Sequence, residues 1–295
     1  MIFLIIVSLI WAFSFGLIKT NLTSLDPNFV AAARLTISLL VFLPFLRFRS
    51  IPKPIRWKLF LIGAVQYGIM YVAYTAAFQY LKAYEIALFT IFTPLYVTII
   101  NDIMQRKVNW VAFAATILAI IGTAIVKGQS LYQPALWMGF LVVQVSNLAF
   151  AYGQIAYKQV MKPYPELKDT NLFALLYFGG ALTALLPALF TTPWTNFMIS
   201  REQILTLVFL GAVSSGLCFF MWNVGARRVN AGTLAVFNDL KIPLAVAVSL
   251  LVFREKTNVP SLLIGGGIVV LAVLLNEWYV RRQRRAETPV DATAG

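Results

Sequence analysis

The stretch VFNDLKIPLAV, residues 236–246, sets Asn238, Asp239 and Lys241 inside an otherwise apolar run, with Pro243 close behind. An ammonium there can hold a carboxylate, and a carboxylate or amide can meet an amine. Arg34 and Glu85 are also embedded in oily sequence. The chain has no histidine and one cysteine, Cys218. That removes His-based acid–base catalysis, most zinc sites, haem ligation and any intrachain disulfide. No nucleophile–base pair and no convergent acids are found, so we assign no catalytic residue, metal site or cofactor. The chemistry on offer is binding, not bond making.

Such groups need elements that can hold them. Of 295 residues, 60% are hydrophobic and 12% charged, against about 45–50% and ~25% in soluble domains. The net charge of +13 comes from short basic clusters between apolar runs. That pattern reads as membrane topology and argues against a nucleic-acid partner. Apolar runs of about 18–23 residues, long enough to cross ~30 Å of hydrocarbon as helices, recur ten times. We place them near 2–18, 28–46, 59–80, 84–104, 109–126, 135–157, 171–190, 204–224, 232–252 and 260–280. The first has no basic leader or small-residue cleavage site and reads as a retained helix. Residues 281–295 read as a disordered basic tail.

Sixteen Lys and Arg residues fall on one side of this plan, among them Arg47, Arg56, Lys158, Arg227 and the RRQRR cluster. Six fall on the other: Lys19, Lys82, Lys127, Arg201, Arg254 and Lys256. The bias puts both termini in the cytoplasm.

The chain also repeats itself. GAVQYGIMYVAY at 63–74 aligns without a gap to GAVSSGLCFFMW at 211–222, and DPNFVAAARLTISLLVFLP at 26–44 to DTNLFALLYFGGALTALLP at 169–187. LIWAFSFGLIK at 9–19 matches LAFAYGQIAYK at 148–158 more weakly. Each half, 1–127 and 128–280, then holds five helices. Five is odd, so the second half threads the membrane upside-down to the first. The expected fold is an all-α integral membrane protein of ten transmembrane helices in two inverted five-helix repeats. Such repeats serve alternating access, with the substrate bound between them near the midplane.

With these features the chain resembles the EamA-type transporters of the drug/metabolite transporter superfamily. The likeness rests on the inverted plan, the Trp of LIWAFSF, the Arg of AAARLTISLL, and Pro-containing fourth and ninth helices ending in a charged turn, VFREKT. MQRKVN at 104–109 departs from that turn, with Arg106 where VFREKT has Glu255. The resemblance implies movement of amino acids and small metabolites across the inner membrane, mostly outward, through a cavity between the halves.

Asp239 and Lys241 fall roughly 12–15 Å deep at 1.5 Å per residue, where each costs roughly 2.5–3.5 kcal/mol unless it faces protein or water. Two residues apart, they cannot simply pair on a regular helix. Relative to the first half, one residue is added between Ala235 and Pro243, as a π-bulge requires. Lys241 is therefore expected to hold a substrate carboxylate while Asp239 or Asn238 meets its amine; the alternative is an internal ion pair that locks packing. Trp11, Tyr67, Tyr71, Tyr74, Tyr152 and Trp222 lie within helices rather than in interfacial belts. We assign Trp11, Tyr67, Tyr71, Asn147, Tyr152 and Gln154 to the substrate site with the three residues of segment nine. Glu85 and Arg34 are candidates for a gate or proton site, and an Arg34–Glu85 pair is geometrically open, with packing the favoured role for Arg34. Runs such as GGG at 265–267 and Gly179–Gly180 permit close helix contact.

The sequence thus reads as a multi-pass bacterial inner-membrane secondary transporter, monomer or weak dimer. Its expected partners are membrane lipid, protons as a candidate coupling ion, and an amino acid or related carboxylate-bearing metabolite moved outward. The rival within the class is an importer or exchanger of a larger, nucleotide-like compound. From another class, the rival is a non-transporting membrane scaffold, which needs neither inverted repeats nor midplane charge.

Overall fold

Capping residues divide the chain into helices. Asp26 accepts from the Phe29 amide at 2.8 Å with Pro27 opening the helix behind it. Ser200 and Gln203 form a reciprocal box at another start. The computed structural model describes residues 2–104, 134–229 and 231–255, with scattered helical positions within 110–121 and 260–282; of 231–236 and 238–241 it describes the backbone alone.

Seven helices among the described residues are long and apolar enough to cross a membrane. They are α1 (Ile2–Leu22), α2 (Pro27–Phe45), α3 (Lys53–Ala77), α4 (Ala83–Met104), α5 (Pro134–Met161), α6 (Phe173–Thr191) and α7 (Arg201–Arg228). A further helix outside that set, α8 (Ala231–Leu251), follows. These match eight of the expected spans; most of 109–126, much of 260–280 and nearly all of the tail lie outside the described residues.

Polarity is distributed as lipid demands. Large apolar side chains such as Trp57, Leu186 and Phe190 face outward, while Arg34, Gln66, Asn147, Gln154 and Asn223 are buried inside. The chain is a multi-pass membrane protein.

The contacts between helices pair off. α2 packs on α6; α3 packs on α6 as α7 packs on α2; α1 packs on α8 as α5 packs on α4; α1 packs on α7 as α5 packs on α3. Glycines bring the backbones together. A Cβ on Gly63 would sit 1.9 Å from the Leu176 carbonyl oxygen, and one on Gly179 would sit 2.1 Å from that of Phe60. By contrast, a Cβ on Gly267 would meet nothing within 4 Å.

Both GAV segments wind as π-helix, over Ala64–Ile69 in α3 and Leu210–Leu217 in α7. A third π turn ends α1 at Ile18–Leu22. The expected π-bulge ahead of Pro243 is not among them. α8 runs as α-helix through the proline, which removes the hydrogen bond to the Asp239 carbonyl and crowds that carbonyl with its ring.

Candidate functional site

A π turn disturbs the backbone ladder, so its carbonyls need other donors. In α7 side chains supply them. Trp11 Nε1 donates to Ser214 O at 2.9 Å, and Ser38 Oγ donates to Gly211 O at 2.7 Å. The Tyr177 hydroxyl lies 2.9 Å from Ser215 O and 2.6 Å from Gly216 O. Ser14 Oγ meets Ser214 Oγ at 2.8 Å. The turn thereby fastens α1, α2 and α6 to α7 and fixes two serine hydroxyls in the middle of the bundle.

Those hydroxyls border a cavity lined from α1–α5 and α7, whose free space, counting its open mouth, is ≈ 530 Å³. Its apolar wall includes Trp11, Phe15, Met70, Tyr74, Phe150 and Phe219. The Trp11 ring lies 4.8 Å from that of Phe219 and 6.0 Å from that of Phe150. Its polar wall includes Arg34, Tyr71, Ser214, Thr90, Thr93, Ser146 and Asn147. Among the described residues lining it, Arg34 alone is charged.

Arg34 is 1% exposed. Its Nε donates to Ser215 Oγ at 3.1 Å and its Nη2 to the Tyr71 hydroxyl at 3.0 Å, while that hydroxyl lies 2.8 Å from Ser215 Oγ. Nη1 has no partner among the described residues, and no described carboxylate pairs with the guanidinium. A buried cation on these terms calls for an anion, since two neutral groups do not replace its hydration.

Arg34 and Glu85 do not pair. Glu85 sits at the third position of α4 and turns back to its own start, accepting from the Lys82 amide at 2.9 Å and facing the Tyr84 hydroxyl at 3.2 Å. A carboxylate there satisfies orphan N–H groups and the positive end of the helix dipole. Glu255 assists, accepting from Ala83 N at 3.0 Å and Tyr84 N at 3.1 Å.

The other expected site residues separate. Trp11, Tyr71 and Asn147 line the cavity. Tyr67 and Gln154 are buried beside it instead. Tyr67 OH accepts from Asn223 Nδ2 at 2.9 Å, and Gln154 Oε1 from Trp222 Nε1 at 3.2 Å. Gln66 and Asn223 exchange amide bonds at 3.0 and 3.2 Å in the same layer, joining α3 to α7. Tyr152 is 40% exposed on the outer face of α5, alongside Val145 and Leu148. Of Asn238, Asp239 and Lys241 the backbone lies in α8, and their side chains are outside the described residues.

Ser14, Thr93, Ser146 and Ser214 were missed, because short hydroxyl side chains are unremarkable in an apolar helix. The repeated GAV motif was the available signal for Ser214, since it marked the segment that winds as a π turn.

Comparison with known proteins follows the same lines. The model of the EamA-like transporter family matches residues 1–128 and 137–278. The "Biotin transporter" of Salmonella typhimurium is 36% identical, covering 99% of this chain and 97% of its own. The protein of that name in Escherichia coli is 38% identical, over 96% and 93%. The "Probable biotin transporter" of Pseudomonas aeruginosa is 37% identical, over 96% and 99%. A solved crystal structure superposes with a TM-score of 0.68 over 95% of this chain and 98% of that one; at 16% identity the likeness speaks for the fold alone. Matched across nearly its whole length, this chain is a transporter and not an enzyme, and it belongs to the EamA-like transporter family.

Proposed function

We propose that this protein carries a monocarboxylate with a compact uncharged body, biotin or a close analogue, across the bacterial inner membrane. The observation that carries this reading is Arg34, buried on the cavity with Nη1 unpartnered among the described residues. A carboxylate bound there restores the missing counter-charge, and the aromatic wall covers the rest of the molecule.

An amino acid, the substrate expected from sequence, suits the cavity less well. Its ammonium needs an acid, and none is found among the described residues lining the cavity. The relatives' names point the same way. Lys241 remains the second cation assigned to the substrate's path.

Transport by alternating access of two inverted halves, 1–127 and 128–280, within a ten-helix bundle completes the proposal. It is supported by the paired helix contacts and by the π turns at equivalent places in the repeated GAV segments. Both termini lie in the cytoplasm on the charge bias. A reporter fused after Lys127 is accordingly expected outside the cytoplasm.

Counterflow of labelled biotin in proteoliposomes tests the substrate. Unlabelled biotin is expected to exchange at micromolar concentration. Its methyl ester, which lacks the anion, should compete about 100-fold more weakly, the scale of one charged hydrogen-bonded contact. Exchange driven by amino acids and indifferent to biotin would overturn the assignment.

A further inference from the structure

Arg34 accounts for part of the cavity's polarity, and the α4–α5 wall carries more. Asn147 is 3% exposed and lines the same space. Its Nδ2 donates to Phe89 O at 2.8 Å and to Gln144 Oε1 at 3.1 Å. Phe89 O is a backbone acceptor at the junction where α4 tightens into the 3-10 turn Thr90–Phe92 ahead of Pro94. Gln144 Oε1 also lies 3.1 Å from the Tyr96 hydroxyl. Two acceptors therefore consume both N–H groups of the Asn147 amide and set its orientation. What is left is Oδ1, an acceptor with no donor among the described residues.

A second observation lies on the same wall. Thr93 Oγ1 is buried without a partner, and Thr93 lines the cavity from α4. A hydroxyl can donate or accept; an amide oxygen can only accept. The wall is thus neutral, with one fixed acceptor and an adaptable hydroxyl. It offers a carboxylate no cation and suits a group that pairs an N–H with a carbonyl.

We infer that Asn147 is a specificity residue, accepting a hydrogen bond from an uncharged N–H on the substrate end remote from the carboxylate, with Thr93 donating to the neighbouring carbonyl. The inference rests on the substrate reading above and sharpens it. The cavity takes a bipolar molecule, acid at Arg34 and cyclic ureide or amide at Asn147, in one orientation. A site built to hydrogen-bond an N–H rejects an analogue lacking it far more strongly than an apolar pocket can, because its own polar groups are then left unpaired.

The test compares biotin, its N-methylated form and lipoate in proteoliposomes. Lipoate carries the same pentanoate arm on a sulfur ring with no N–H. The unmodified protein is expected to prefer biotin to either analogue by about 100-fold or more. Asn147→Ala should bring that preference within about 10-fold, by weakening biotin and leaving lipoate nearly unchanged. A merely structural role would weaken all three ligands alike and leave the ratio intact. Equal affinity for biotin and lipoate in the unmodified protein, or an undiminished ratio in Asn147→Ala, overturns the inference. Should the variant fail to fold, the ligand series on the unmodified protein decides alone. Failure of biotin itself to exchange sinks the substrate reading instead, and is told apart because it needs no variant.

Discussion

Arg34→Ala is expected to lower carboxylate transport by about 100-fold or more while the protein still folds. Truncating one partner of a buried, hydrogen-bonded charge pair costs about 2–5 kcal/mol, and about 1.4 kcal/mol is a factor of ten. The fold should survive because the Tyr71 hydroxyl and Ser215 Oγ stay bonded to each other at 2.8 Å. Removing the cation also removes its own burial cost. Arg34→Lys keeps the charge but loses the fork that reaches Ser215 and Tyr71 together, so intermediate activity is expected. Initial uptake rates, read beside thermal unfolding in detergent, check both variants. Full flux in Arg34→Ala with loss in Lys241→Ala would move the anchor to α8.

Gly63→Ala should be the most damaging small substitution in the described bundle. The added methyl would stand 1.9 Å from Leu176 O, 2.5 Å from its carbonyl carbon and 2.6 Å from its Cα, all of them backbone. No rotamer change relieves such a contact, so α3 and α6 must separate. Overpacking a core costs about 1–3 kcal/mol when side chains can adjust; here more than about 3 kcal/mol is expected. The readout is a drop in unfolding temperature or loss of monodisperse protein. Gly267→Ala is the control, because a Cβ there meets nothing within 4 Å and alanine is the better helix former. Equal melting temperatures for the two variants would refute the backbone contact between α3 and α6.

Reading the substitutions this way separates what was legible from what was not. The two glycine runs look alike in sequence. Only packing distinguishes Gly179, pressed on Phe60 O, from Gly267 in open space. Likewise Asn147 and Tyr152 lie five residues apart on one apolar helix, yet one lines the cavity and the other faces outward. A helix that is apolar all round carries no strong moment to say which side meets lipid.

The sequence by itself determined that this chain enters the membrane many times and that it belongs with EamA-type transporters. Run length and polarity suffice for that, because hydrocarbon forbids unpaired backbone and unpaired charge. Tertiary structure alone decided which polar groups share a cavity. Arg34 finds Ser215 from the other half of the chain, and Glu85 turns to its own helix start. Such choices depend on how helices rotate and approach, and these follow from long-range packing of glycines and aromatics that no local pattern records.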